Sequence, residues 1–552
     1  MYRRPAMPSV AQTLIDGLRR EGVTHVFGIP GTQNLALLDV IRETPEMRFI
    51  LTRHEQGAAF MAYGYARAGQ RPAVVTATEG PGVTNMATPF GAAYRGNVPL
   101  IGINGLQEEW LREKDASQEM DQITFFKPIT KWAYSITGPN KAQEALRKAF
   151  RTALAEPPGP VHIEASTAIY RAEVEAETQL PQQYRASVLP EVAGQCLDQA
   201  AALLAKAECP VILAGSGVLR ERASAELIAF AEQHNIPVAP LQFSPDAFPT
   251  SHQLALGPLG RNGWNSANRV VKQADVVIAV GARMDLFSTT FKHGLIHDDV
   301  ILIHQAASVD PIGTVFPVDV AAVGSTQSFL AGLATRLDGQ RWDWVDVTAE
   351  VALWEEERQA LIDPSAEPIQ PPFVADVLRR TLPKGGIMVV DAGNAGKHVR
   401  QHFVSHAPDT YIFIDNWAAV GAGFPTALGA ALARPDVPVL AVQGDMGFMC
   451  NIGELETAVR EKIKLVAVVI NDQGLGNERA FQDAYYDGKH FAVDYQNPDF
   501  GVLARAFGAH GEKVTRPGDL EAAMQRAFAA DGPAVVDVMI DKLNLAPVLF
   551  KA

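Results

Sequence analysis

The chain has 552 residues, 47% hydrophobic and 20% charged, enough to bury several cores and to fill about three domains of ordinary size. Its net charge of -14 argues against nucleic acid or an anionic membrane surface as partner, and its three cysteines, Cys196, Cys209 and Cys450, are too scattered for a disulfide framework or a zinc site. The basic start MYRRPAMPSVAQTL is followed by no apolar segment, and no apolar run approaches the ~20 residues of a membrane span, so the expected location is the reducing cytoplasm.

Residues 8–21 carry helical periodicity, which Gly22 closes. A short strand at 23–27 ends in the tight turn Gly28-Ile29-Pro30-Gly31. A second strand, 49–52, runs into Arg53-His54-Glu55-Gln56-Gly57, where a small-residue helix opens. Residues 72–78 form a third strand, followed by Glu79-Gly80-Pro81-Gly82-Val83-Thr84-Asn85 and another helix; 98–103 and 159–164 supply further strands. Strands alternating with helices predict a parallel, doubly wound sheet. A linker rich in Pro, Gln and Glu (172–190) leads to a second α/β unit, with strands at 211–214, near Val238, at 276–280 and at 300–304. A charged, Trp-containing helical stretch and a Pro-rich linker (363–372) end it. The third unit has strands at 387–390, 411–414, 439–442, 465–470 and 534–540. The expected architecture is therefore three doubly wound parallel-sheet α/β domains, at 1–175, 190–345 and 370–545. The first and third look alike, which suggests duplication, although no clear sequence repeat marks it.

The stretch 437–476 organises the third unit. It reads as strand, turn at Gly444-Asp445-Met446-Gly447, helix, and a second strand ending on Asn471-Asp472-Gln473-Gly474. Asp445 and Asp472 thus lie at the carboxyl ends of two parallel strands, the edge where open α/β sheets bind ligands. Two hard oxygen ligands beside a helix N-terminus suit Mg²⁺ carrying a diphosphate. Glu55 holds the corresponding place on the first sheet. Turns are rich in Asp, and a carboxylate at a helix start is favourable for structural reasons alone, so no one of these residues decides the matter. His54 has no second histidine at a chelating spacing and reads as a packing or hydrogen-bonding residue.

Together, Glu55 in RHEQGAAFMAYGYAR, Gly80-Pro81-Gly82-Val83-Thr84-Asn85, Val420-Gly421-Ala422-Gly423-Phe424-Pro425, and Asp445 with Asp472 resemble the thiamine diphosphate enzymes over nearly the whole chain. The segments Asp115-Ala116 with Gln118-Glu119, Pro128-Ile129-Thr130-Lys131 and Gly281-Ala282-Arg283 make it most similar to the acetolactate synthase and pyruvate oxidase group. The resemblance implies pyrimidine-binding, middle and diphosphate-binding domains in that order. It implies Glu55 as the catalytic residue, hydrogen-bonded to the cofactor's aminopyrimidine, and Val420 as the bulky apolar residue between the cofactor's two rings. Asp445, Asp472 and the Gly474 carbonyl would ligate Mg²⁺. Pro30, Gly82, Asn85, Asn394, Ala395, Met446 and Gly447 would contact the cofactor, and Thr32, Ser117, Gln118, Asn477 and Phe481 would line the substrate pocket. The implied substrates are a 2-oxo acid and a carbonyl acceptor. The implied assembly is a homodimer or homotetramer with active sites between subunits.

The chain departs from the pattern in places. It reads GDM where the family has GDG, and we expect Met446 to keep φ < 0 and to pack near the cofactor. Ser117 and Phe481 replace aromatic positions of the synthases, and Asn477, Glu478 and Arg479 suggest a larger or more polar substrate. Flavin is disfavoured, because the acidic pair expected after a middle-domain strand is Gln305-Ala306-Ala307. The expected activity is a carboligase or lyase acting on a 2-oxo acid. The alternatives are a simple decarboxylase releasing an aldehyde and a catalytically silent homologue.

Overall fold

Strands buried on both faces need near-continuous apolar sequence, and such runs build the three parallel sheets of the computed structural model, which describes residues 7–176, 179–186, 188–291, 294–414 and 417–546. The first sheet is ordered β2 (Arg48–Leu51), β1 (His25–Gly28), β3 (Ala73–Thr76), β4 (Leu100–Leu106), β6 (Val161–Ser166), β5 (Trp132–Ser135). The second is ordered β11 (Val320–Val323), β10 (Ile301–Ala306), β9 (Val276–Val280), β7 (Pro210–Ala214), β8 (Val238–Pro240). The third is ordered β13 (Tyr411–Phe413), β12 (Ile387–Val390), β14 (Val439–Gly444), β15 (Val466–Asn471), β17 (Ala534–Met539), β16 (His510–Val514). All pairings within the sheets are parallel. The first and third sheets trace one path twice: within each set of six the spatial order is second, first, third, fourth, sixth, fifth. The repeat that the sequence only suggests is explicit in this topology.

Three strands escape the sequence reading: β5, β11 and β16. Each is an edge strand. Residues of β5 are all half-buried, those of β11 alternate between buried and exposed, and β16 is mixed; each is short, and only β11 is apolar throughout, over four residues.

The first and third domains meet through two helices of small residues, Glu55–Gly69 and Gly423–Ala433. Their backbones touch: a Cβ on Gly429 would lie 1.8 Å from the Met61 carbonyl oxygen. Beside them, Glu454 of the third domain lies over the first turn of helix Glu55–Gly69. Its carboxylate accepts the backbone N–H of Arg53 (3.2 Å) and His54 (3.0 Å) and the Thr457 hydroxyl (2.8 Å). A Cβ on Gly57 would sit 2.1 Å from Glu454 Oε1. The middle domain is tied to the third by fully buried Asp246, which accepts the N–H groups of Thr410 (2.9 Å) and Tyr411 (3.2 Å). Arg283 ties it to the first domain, donating to the Arg95 carbonyl and to Asn97 Oδ1. Among the described residues no helix is long and apolar enough to cross a membrane.

Two predictions follow from these joints. Gly57→Ala should cost about 1–3 kcal/mol by overpacking, and most of that cost should vanish in a Glu454→Ala background. A double-mutant cycle by denaturant unfolding reads the coupling, and strict additivity refutes the contact. Burial and the charge of Asp409 raise the Asp246 carboxyl from 3.8 to about 7. The folded state therefore holds this proton more tightly than the unfolded chain, and the stability so contributed is lost as pH rises from 3.8 through about 7. Asp246→Asn should gain on the wild type between pH 5 and pH 8; an unchanged difference across that range contradicts it.

Candidate active site

In a doubly wound sheet the crevice opens where successive connections leave in opposite directions, and in the third sheet that point lies between β12 and β14. A cavity of about 290 Å³ occupies it. The loops after β12, β14 and β15 supply Asn394 and Ala395, then Asp445, Met446 and Gly447, then Asp472, Gly474 and Asn477; Val420 and Phe481 complete this side. Phe243, Arg261 and Phe287 of the middle domain form the opposite wall.

The two acids meet as their strand ends require. Asp445, 1% exposed, accepts the Met446 N–H (2.8 Å) and faces the Tyr495 hydroxyl (2.9 Å) through Oδ1, and accepts Asn497 Nδ2 (2.6 Å) through Oδ2. The same Tyr495 hydroxyl lies 2.9 Å from the Gly474 carbonyl oxygen, so Asp445 and that carbonyl converge on one point. Burial and then the charge of Asp445 push the Asp472 carboxyl up to about 7, against the pull of Arg479 (3.4 Å). Burial likewise raises Asp445. Among the described residues no three His, Cys, Asp or Glu side chains cluster as a metal site, so two carboxylates and a carbonyl are the donor set available here.

Three helices begin at the cavity: Asn394–His402 and Gly476–Tyr485 have no side-chain cap on their first N–H groups, and in Asp445–Cys450 the Asp445 carboxylate takes the Met446 N–H. Free amides and helix dipoles make this wall a cradle for an anion. Met446 is inside the second of these helices and, as expected, adopts no positive φ, so its backbone is unstrained; the residue lines the cavity. Arg479, read from sequence as facing substrate, is instead 1% exposed and turned inward to Asp472, Asp494 (2.8 Å) and the Lys542 carbonyl (2.9 Å). Asn477 donates to Glu478 (2.8 Å), and both line the cavity.

The remaining residues lie on the first sheet. Glu55 opens its helix, and its Oε2 accepts Asn85 Nδ2 (2.9 Å); a Cβ on Gly82 would lie 3.4 Å from Glu55 Oε1. Glu55, Gly82 and Asn85 therefore meet at the carboxyl edge of β2 and β3. His54 caps this helix, its Nδ1 accepting the Gln56 N–H (3.1 Å). Pro30 and Thr32 are exposed in the loop after β1. Ser117 and Gln118 are exposed in the loop after β4, where Gln33 Nε2 approaches Gln118 Oε1 (3.4 Å). No first-domain residue lines the third-domain cavity among the described residues.

Several residues at the cavity carry no signal in the sequence reading. Tyr495 and Asn497 come from an irregular segment after the last helix of the cavity, with nothing to mark them. Lys397 and Arg400 are basic positions three apart on a helix, a pattern that ordinarily means a solvated face, yet each is only 7% exposed. Burial lowers Lys397 to about 8, with Arg261 and Arg400 adding to the fall. A buried cation costs several kcal/mol, more than the roughly 0.5–2 kcal/mol that an aromatic face returns.

Comparisons with known proteins agree with this layout. Models of the thiamine pyrophosphate enzymes match the chain in three parts: the N-terminal TPP binding domain over residues 8–125, the central domain over 197–333 and the C-terminal TPP binding domain over 391–538. The chain is 32% identical to a probable acetolactate synthase large subunit of Methanocaldococcus jannaschii, over 98% of this chain and 93% of that protein. It is 31% identical to the acetolactate synthase large subunit of Haemophilus influenzae (97% and 95%) and 29% identical to a sulfoacetaldehyde acetyltransferase of Castellaniella defragrans (94% and 90%). The chain belongs to the thiamine pyrophosphate enzyme family, whose three domains in order are its three parallel sheets.

Proposed function

We propose that the protein is a thiamine diphosphate- and Mg²⁺-dependent carboligase of the cytoplasm that decarboxylates a 2-oxo acid and transfers the remaining fragment to a carbonyl acceptor, acting as a homodimer or homotetramer. The observation that carries this is the third-domain cavity, where uncapped helix starts stand beside two buried acids whose proton affinity is raised. Such a set fits a diphosphate bridged to a divalent cation. Relatives named as acetolactate synthases and as an acetyltransferase support ligation or transfer over release of an aldehyde.

In this reading Asp445, Asp472 and the Gly474 carbonyl hold Mg²⁺, and the backbone at Asn394, Ala395, Met446 and Gly447 binds the diphosphate. Val420, 46% exposed beside the cavity, supplies an apolar wall. The cofactor, when bound, supplies the carbanion-stabilising centre for a 2-oxo acid. Glu55, its carboxylate aimed by Asn85, would hold or release a proton at the aminopyrimidine, and Pro30 and Gly82 would contact the cofactor. Thr32, Ser117, Gln118, Asn477 and Phe481 border the substrate.

One chain cannot assemble this set at one point, since its first domain contributes nothing to the cavity. A second copy would bring its Glu55 edge to this one's acid pair. The exposed apolar side chains of Val420 and Met449 (40%) on the third domain are suited to be covered by that copy.

Incubation with thiamine diphosphate, Mg²⁺ and a panel of 2-oxo acids should release CO₂ and give 2-hydroxy ketones or transfer products; free aldehyde alone would favour the simple decarboxylase. Glu55→Gln should lower turnover about 10²–10⁴-fold, and undiminished turnover removes Glu55 from the chemistry. Asp445→Asn should weaken metal-dependent cofactor saturation by at least the roughly 10–100-fold that losing even an outer-shell partner costs. Chelation should abolish turnover and added Mg²⁺ restore it.

A further inference from the structure

The same cavity has a cationic end that none of these roles uses. Lys397 and Arg400 project from helix Asn394–His402, and Arg261 enters from the middle domain; each is 7% exposed. Lys397 Nζ and the Nε and Nη1 of Arg400 make no hydrogen bond, and neither residue forms an ion pair among the described residues. Arg400 keeps a hydrogen bond to Tyr411, and all three cations lie near aromatic rings. Lys397 Nζ lies 5.6 Å and Arg261 Cζ 5.7 Å from the Phe481 ring centre. Arg400 Cζ lies 4.6 Å from that of Phe413 and 5.9 Å from that of Phe243. Rings of this kind hold a cation in place without neutralising it.

Geometry separates this end from the diphosphate cradle. Arg400 is six residues past Asn394, about 9 Å along the helix axis from the amides at its start. The acid pair and those amides already account for a metal and a diphosphate. Three buried cations converging beyond them match an oxyanion, which a guanidinium fork and an ammonium bind with direction as well as charge.

We propose that this end recognises a second oxyanion on the substrate: beyond the reacting carbonyl, the 2-oxo acid or its acceptor carries a further carboxylate, sulfonate or phosphonate that Lys397, Arg400 and Arg261 bind. The proposal rests on the thiamine diphosphate reading for the reacting end of the cavity. It turns the polar substrate suggested by the sequence around residue 478 into a defined class, placed on residues that the sequence did not single out.

The test uses the full-length holoenzyme with 2-oxoglutarate, 3-sulfopyruvate and 3-phosphonopyruvate against 2-oxopentanoate, each tried as donor and as acceptor. At least one probe with a second oxyanion should exceed 2-oxopentanoate in kcat/KM by ~10-fold or more, and which one does so separates the planar from the tetrahedral headgroup. Lys397→Met and Arg400→Leu should each reduce that ratio ~10-fold, with Arg261→Met as an independent third variant. Removing a desolvated charge should leave Tm equal or raised, so loss of selectivity will not be misread as unfolding. No preference in the wild type, or an unchanged ratio in all three variants, overturns the proposal. So does a rise in cofactor half-saturation in place of lost selectivity, which would assign these cations to the diphosphate. If the holoenzyme turns over no 2-oxo acid, the functional reading fails separately, and calorimetry then decides on the subsite: succinate, sulfoacetate or phosphonoacetate should bind where butyrate does not, and equal or absent binding of all four overturns it.

Discussion

Burying charges of both signs around one cavity is the constraint to which the rest of this structure answers. Asp445 and Asp472 stand at one end, Lys397, Arg400 and Arg261 at the other, all less than a tenth exposed. Desolvation works on the two ends in opposite directions. It raises the carboxyls, Asp472 to about 7, and lowers the ammonium of Lys397 to about 8, so both groups drift toward neutrality. Each shift would reverse when a counter-charge arrives: a cation beside the acids, an anion beside the lysine. A ligand system offering a metal at one end and an oxyanion at the other satisfies both with a single set of contacts.

The framework that bears this cost is one topology used twice. The first and third sheets share a strand order, and in each the candidate groups sit at the carboxyl edge. Their edges are chemically different: a carboxylate aimed by an amide on the first, two carboxylates and free helix starts on the third. Glu454 joins the two halves. It satisfies the backbone N–H groups of Arg53 and His54 immediately before Glu55 and needs the absent side chain of Gly57 to reach them. The third domain thus sets the entry angle of the helix that presents the first domain's acid.

How much of this was legible follows from what a linear pattern records. Central strands such as β7 and β9 are apolar throughout, because both faces are covered, and they stand out in sequence. The edge strands β5, β11 and β16 are short and partly open to solvent, and β16 (HGEKV) is polar enough to resemble a loop. Asp445 and Asp472 were readable because only one or two residues separate each from the end of an apolar run. Lys397 and Arg400 were not, since their burial depends on Phe243 and Phe481, about 155 and 80 positions away. Arg479 shows the reverse error. Successive helix positions turn about 100°, so Arg479 and Phe481 point to nearly opposite sides, and only Phe481 faces the cavity.

The middle domain helps to shape the cavity. Gln305, standing where an acidic residue would favour a dinucleotide, has its side chain committed to the Gly281 N–H (3.0 Å) and the Gly324 carbonyl (2.8 Å), stitching β9, β10 and the turn after β11. Arg283 is spent on the first domain. What the middle domain gives to the cavity is its far wall, Arg261 with Phe243 and Phe287, and Phe243 stacks on Phe413 of the third domain at 5.1 Å and 13°. That stack joins the two domains and also carries Arg400. The position of Arg261 relative to the acidic end is therefore set by domain docking through Phe243–Phe413 and Asp246, whereas Lys397 and Arg400 share the third domain with the acids. A change at that joint would move Arg261 and the aromatic wall while Asp445 and Asp472 stay in place.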